Sequence, residues 1–182
     1  MTLFRKVLLG TGAVLLLAAG VGLLLPRHIH VERSIVINAA PEAVFALVNG
    51  FERFNEWSPW AALDPAAKYT REGPATGVGA TLVWVGDPAT LGSGRQVIVE
   101  SKPSQSVRLD YEFGPQGKAK GTFTLAATGA GTSVTWGFDT DLGMNPVSRY
   151  FGRMLDGMIG GDFERGLAGL KKVAESPQAS SL

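Results

Sequence analysis

Cysteine is absent from the 182-residue chain, and histidine occurs only twice, at His28 and His30. The first absence removes thiol nucleophiles, disulfides, lipoprotein acylation and thiolate metal sites together, and it leaves the redox compartment open. The second leaves no histidine cluster with metal spacing and no Ser-His-Asp set inside the body, because both histidines sit just past an N-terminal apolar run. An excess of one charge is also lacking. Lys and Arg number 17 against 16 Asp and Glu, without a basic stripe, so nothing favours a nucleic-acid partner. The glycines at 77–79 and 92–94 are followed by neither a helix start nor a Lys-Ser/Thr pair, and they read as turns rather than phosphate loops. No metal and no cofactor is expected.

Apolar residues are plentiful. At 45% of the chain they suffice for one domain plus an appendage. Residues 7–25 form an uncharged run of about 19 residues, the length that spans a hydrocarbon core. Arg5-Lys6 precede it and Pro26-Arg27 close it. A cleaved signal peptide is the rival, but apolar residues continue through Leu23-Leu24-Leu25, past the small residues Ala18-Ala19-Gly20. The expectation is therefore a single-pass anchor over 1–29, with the early charges placing the body on the non-cytoplasmic side. Ala18 and Gly22 form a small-xxx-small pair, which in a dimer would mark the seam.

The body, 30–175, opens with a period-two stretch at 30–38, then Ala40-Pro41-Glu42 starts a short helix and 51–57 reads as another. From Lys68 the period returns to two, predicting strands at 68–72, 80–85, 94–102, 106–113, 118–126 and 132–140, separated by Gly- and Pro-rich turns. Val107, Leu109 and Tyr111 oppose Arg108, Asp110 and Glu112, so one face of the sheet is wet. Asp139 and Asp141 share that outer face, opposite Trp136 and Phe138. A helix over 145–175 follows, with Val147, Tyr150, Phe151, Met154, Met158, Phe163, Leu167 and Leu170 as its expected buried stripe. Its six glycines, 152, 157, 160, 161, 166 and 169, are unusual for a helix interior. Gly160-Gly161 before Asp162 reads as a break, and leucine at Gly157 and Gly161 would fill any space left beneath the helix. Residues 176–182 read as a frayed polar tail.

The large aromatics carry the functional signal. Trp57, Trp60, Trp84, Tyr111, Phe123, Trp136 and Phe138, with Met154 and Met158, are expected to line a cavity under the glycine-rich helix, suited to an apolar ligand. Tyr111 is the expected polar handle. Glu56, between Asn55 and Trp57, is the acid nearest the expected mouth.

Several stretches, taken in order, resemble the START-like superfamily in its bacterial polyketide cyclase/dehydrase and lipid-transport branch. They are Val31-Glu32-Arg33-Ser34-Ile35-Val36-Ile37, Ala40-Pro41-Glu42-Ala43-Val44-Phe45, Phe54-Asn55-Glu56-Trp57-Ser58-Pro59-Trp60, Gly131-Thr132-Ser133-Val134-Thr135-Trp136 and Gly161-Asp162-Phe163-Glu164-Arg165-Gly166-Leu167. The resemblance implies an α+β helix-grip fold, a curved antiparallel sheet around a long C-terminal helix. It implies an apolar cavity but no one activity, and no catalytic residue is carried over from it. A hydrophobic small molecule or lipid is the expected partner, bound by a carrier or sensor. A cyclase, dehydratase or hydrolase using Tyr111 or Glu56, and an interaction module with a filled core, are the alternatives.

Overall fold

The computed structural model describes residues 3–176, so all but the first residue of the expected tail lies outside the described residues. The alternating stretches become β1 (His28–Ile37), β2 (Lys68–Glu72), β3 (Thr81–Val85), β4 (Ser93–Lys102), β5 (Ser106–Glu112), β6 (Lys118–Thr128) and β7 (Gly131–Asp141). They pair antiparallel throughout, in the order β1-β7-β6-β5-β4-β3-β2, as one curved sheet. Between β1 and β2 lie α2 (Pro41–Val48), α3 (Phe54–Trp57) and a short 3-10 turn, Pro59–Ala62. The expected second helix is thus shorter at its start, because Phe51 to Arg53 remain outside it. The long C-terminal helix is α4 (Pro146–Ala174), capped by the Asn145 side chain, which accepts a 2.9 Å hydrogen bond from the Val147 amide. The result is the α+β helix-grip fold.

The sheet obeys its alternation. Val107, Leu109 and Tyr111 are buried with Phe123, Leu125, Val134 and Trp136 on the inner face. Outside, Arg108 pairs with Glu100 and Lys118 with Glu112. Such exposed pairs add little stability, and they keep this face hydrated.

The helix departs from expectation in two ways. It runs unbroken through Gly160-Gly161, and its apolar stripe changes sides partway along while its buried face stays in one line. At 3.6 residues per turn each residue turns the helix by about 100°, so the five-residue step from Met158 to Phe163 swings the stripe by roughly 140°. Phe163, Leu167, Leu170 and Ala174 therefore face the sheet, whereas Val147, Phe151, Met154 and Met158 are exposed. In the first half the inward positions are Arg149, Gly152 and Gly160 instead.

The glycines at 160, 166 and 169 are the close-contact surface of α4. A Cβ at Gly160 would collide with the Arg33 guanidinium, one at Gly166 would lie 2.7 Å from the Trp136 ring, and one at Gly169 would lie 2.6 Å from the Trp57 carbonyl oxygen. Arg33, on the inner face of edge strand β1, reaches under the helix to Asp156 and Glu164 at 3.1 and 2.9 Å. Gly157 faces open space, and Gly161 meets only the far end of Arg165 at 3.6 Å, so leucine at these two positions would fill nothing beneath the helix.

At the other end of the chain, α1 (Leu3–Leu24) stands off the sheet. Its segment Val7–Leu24 has mean hydropathy 2.3 and is 6% buried, long and apolar enough to cross a membrane. Its C-terminal end is tied to α4 by Arg149, which is only 6% exposed. That guanidinium donates to the carbonyls of Leu23, Leu25 and Gly143, so a buried cation is met by the unpaired carbonyls at a helix C-terminus. Ala18 and Gly22 seat α4 of the same chain: the Tyr150 hydroxyl donates to the Ala18 carbonyl at 2.8 Å, and a Cβ at Gly22 would meet Pro146 at 2.7 Å.

Candidate functional site

The space between sheet and helix is divided into a filled core, a small pocket and a larger groove. The core holds three of the expected lining residues. Trp136 is fully buried, stacked on Phe163 with centroids 4.0 Å apart and planes 6° apart, and on Phe123 at 4.8 Å from its other face. Trp57 closes the cluster edge-on at 5.7 Å from Trp136. Such pairs each add about 0.5–1.5 kcal/mol beyond area burial. Trp57, Phe123 and Trp136 therefore fill the space in which a cavity was expected. The indole N–H groups of Trp57 and Trp136 have no hydrogen-bond partner among the described residues.

Beside this core lies a pocket of about 210 Å³, lined by Phe54, Trp60, Tyr69, Trp84, Gln96 and Tyr111 among others. Two glycines make room for its aromatics. Gly94 lies directly opposite Trp84 in the β3–β4 register, and a Cβ there would approach the indole to 2.5 Å. A Cβ at Gly121 would approach the Tyr111 ring equally closely. A glycine inside an alternating strand is the signal that could have fixed the direction of Trp84, which apolar residues on both faces of β3 left ambiguous. The Tyr69 hydroxyl and the Trp84 indole N–H are buried here without partners among the described residues, and Gln96 is 3% exposed. Burial raises the Tyr69 phenol above its ordinary value, aided by the Asp64 charge. Burial raises Tyr111 strongly, outweighing the lowering influence of the neighbouring Trp136 indole, so it is a neutral hydroxyl near pH 7.

The groove is larger, about 620 Å³, and lies between the first half of α4 and the ends of β6 and β7. Phe138 is the one expected lining residue it contains, alongside Phe113, Leu142, Val147, Phe151, Leu155 and Ile159. Among the described residues no carboxylate and no histidine lines it, and Lys118 and Gln116 are its most polar members. Phe113 stands between the two spaces, stacked on Tyr111 at 5.8 Å and edge-on to Trp84 at 6.0 Å. Met154 and Met158, expected to line the cavity, are 58% and 53% exposed and belong to neither space. The half-turn swing of the α4 stripe is the reason. Leu155 and Ile159 lie about 60° and 100° around the helix from Met158, on the side that faces the groove, and no apolar stripe drawn through the methionines would find them.

Asp162 lines the smaller pocket and is paired with Arg165, whereas the acid and histidines singled out from the sequence lie elsewhere. Glu56 forms an exposed ion pair with Arg53 at 2.7 Å, whose hydrogen bonds hold its carboxyl below the usual range. A polar depression of about 500 Å³ on the outer face of the sheet is lined by His28, His30, Asp110, Lys120, Asp139 and neighbours. There Asp139 bonds His30 at 2.7 Å, and Asp141 pairs with Arg27, which with the Gly143 amide holds it well below the carboxylate range. The Asp139 hydrogen bond, then that of Glu32 at 3.3 Å, raises the His30 pKa. A raised native pKa means that His30 stabilises the fold fully below its unfolded pKa of about 6.5 and loses that contribution as pH rises through the native value. Denaturant midpoints should therefore fall over that rise in the parent chain, and the His30→Gln variant should flatten this part of the profile. Parallel profiles would assign the titration to another group.

The fold recurs in proteins of low identity. A protein of unknown function, SA2116 from Staphylococcus aureus, superposes with TM-score 0.65 at 12% identity, over 85% of this chain and 97% of its own. The di-domain ARO/CYC StfQ of the steffimycin biosynthetic pathway gives 0.62 at 12% identity over 85% of this chain, which spans 52% of StfQ. A Thalictrum norcoclaurine synthase point mutant in complex with a transition-state analogue gives 0.59 at 12% identity, over 81% of this chain and 94% of its own. No curated protein matches the sequence significantly. At such identities the structures speak to the fold alone. The sequence itself matches a family model over residues 28–175, from the first residue of β1 to the residue just past α4, and the chain belongs to the polyketide cyclase/dehydrase and lipid transport family.

Proposed function

We propose that this chain binds an apolar small molecule or a lipid as a carrier or sensor, with residues 1–29 as membrane anchor and 30–175 as the ligand-binding domain. The observation that carries the reading is the groove under α4: its volume of about 620 Å³ falls within the range of small-molecule sites, and its walls are mostly apolar rings and aliphatic chains, with Lys118, Gln116, Thr140 and Ser148 as polar members and no acid or histidine among the described residues. Burial of apolar surface at roughly 25 cal/mol per Å² would drive binding. The neighbouring pocket supplies unpartnered donors at Tyr69 and Trp84, which a carbonyl or carboxylate oxygen of the ligand would satisfy. The anchor keeps the groove beside the phase in which such ligands partition, with the body on the non-cytoplasmic side.

A diazirine-bearing fatty acid, photolysed with the full chain in phospholipid nanodiscs, tests the assignment. Label on peptides carrying Phe113, Phe138, Leu155 or Ile159, suppressed by excess unlabelled fatty acid, is the expected result. Label confined to α1 and insensitive to competition would reject the groove as the binding site.

A further inference from the structure

The first four turns of α4 expose an unusual amount of apolar surface. Val147 is 71% exposed, Phe151 56%, Met154 58% and Met158 53%, and Met144 just before the helix is 69% exposed. Scattered apolar residues on a surface need no explanation, but a continuous row of large ones marks an interaction site. At about 100° per residue the four helical members fall within roughly 60° of one another around the axis. The identity of the neighbours on either side decides what covers them.

On one flank Pro146 and Tyr150 touch α1. Tyr150 bonds the Ala18 carbonyl, and both residues pack where Gly22 has no side chain. On the other flank Leu155 and Ile159 line the groove. The exposed row is thus the bridge of an unbroken apolar surface running from α1 to the groove. Ala18 and Gly22 both lie within the apolar segment Val7–Leu24. Ala18 is six residues before the end of α1, roughly 9 Å along its axis, so a residue bonded to it cannot be clear of a bilayer that α1 spans. The charges of these turns fit the same placement. Arg149 is turned inward onto carbonyls, and Asp156 pairs with Arg33 on the sheet side. Arg153 is exposed, and its long stem lets the guanidinium reach the headgroups.

We infer that the first four turns of α4 are a membrane-inserted surface, with Val147, Phe151, Met154 and Met158 among the acyl chains, so that the groove opens sideways onto the bilayer rather than into water. The occupant of the exposed face is the lipid bilayer itself. The inference rests on the anchor reading of α1 and goes beyond it, since an anchor alone would leave α4 in solvent on a tether.

The absence of cysteine makes the test clean, because one introduced thiol is the only one. Full chains carrying Met154→Cys, Leu16→Cys or Asp110→Cys are spin-labelled and reconstituted into vesicles of phosphatidylcholine and phosphatidylglycerol. Collision with apolar oxygen is compared with collision with a water-soluble nickel chelate. The label at position 154 should favour oxygen several-fold over the label at position 110 on the wet sheet face, and it should approach the behaviour of position 16 within α1. Met158→Cys repeats the measurement should the first variant misfold. A lipid-like position 16 with water-like positions 154 and 158 overturns the inference and leaves the anchor standing. A water-like position 16 removes the anchor, and the inference falls with it.

Discussion

Replacing Gly169 by leucine is expected to destabilise the protein by about 3 kcal/mol, near the upper end of overpacking penalties, and to lower the Tm by roughly 6–12 °C for a domain of this size. A Cβ at this position would sit 2.6 Å from the Trp57 carbonyl oxygen and 3.2 Å from its Cα, so backbone rather than a yielding side chain stands in the way. Trp57 cannot retreat either, because its ring is held by Phe54, Phe123 and Trp136 at 5.0, 6.0 and 5.7 Å. The same helix contains the control. Gly157 faces open space, so Gly157→Ala should stabilise by about 1 kcal/mol through helix propensity and reduced freedom of the unfolded chain. Thermal melts followed by near-ultraviolet dichroism of the tryptophan cluster would read both variants. Stabilisation by both variants would show that helix propensity, not the fit of α4 against Trp57, governs these glycines.

Those opposite signs also mark where the sequence stops being legible. That α4 is long, amphipathic and rich in glycine can be read from residue types alone. Which glycines are buried cannot, because it depends on what α3, the 3-10 turn and β1 bring against the helix. Gly160-Gly161 followed by Asp162 has every local mark of a break and a new cap, yet the helix runs through, since packing outweighs a propensity cost of about 1 kcal/mol per glycine. The strands were easier to read. Alternation such as Val107, Leu109, Tyr111 against Arg108, Asp110, Glu112 is a local pattern, and only one register buries the apolar set.

The candidate site divides along the same line. Trp60, Trp84, Tyr111 and Phe138 line open space, whereas Trp57, Phe123 and Trp136 are indistinguishable from them by type and pack solidly. An aromatic on an inner strand face fills a core or borders a cavity according to what the opposing helix presents. Here Phe163 presents a ring stacked on Trp136, while Gly152 presents none. The two methionines failed for a simpler reason, the five-residue step that separates them from Phe163. Arg149 was harder still, since its partners are main-chain carbonyls some 125 positions away, which no side-chain pattern encodes.

Placing a charge inside the groove should abolish most of its ligand binding without unfolding the chain. Leu155 is half-buried on α4 and faces the groove together with Ile159 and Phe138. In Leu155→Arg the stem would still cover the helix while the guanidinium either occupied the groove or swung out of it. In the first case an apolar ligand would have to share low-dielectric space with an unpaired charge, a burial penalty of several kcal/mol. In the second the ligand would lose the contacts of the deleted leucine branch, at about 0.8 kcal/mol per methylene-sized group. Since 1.4 kcal/mol is a factor of ten, groove labelling by an uncharged photoactivatable probe, the diazirine-bearing fatty alcohol in place of the acid, should fall at least tenfold, while the Tm moves by only a few degrees. Leu155→Met, with similar volume and no charge, should retain labelling and so separate loss of an apolar wall from loss of leucine as such. Equal labelling of the arginine and methionine variants, both folded, would place the ligand elsewhere. The smaller pocket, with Tyr69, Trp84 and Gln96 on its wall, would then be the space to probe.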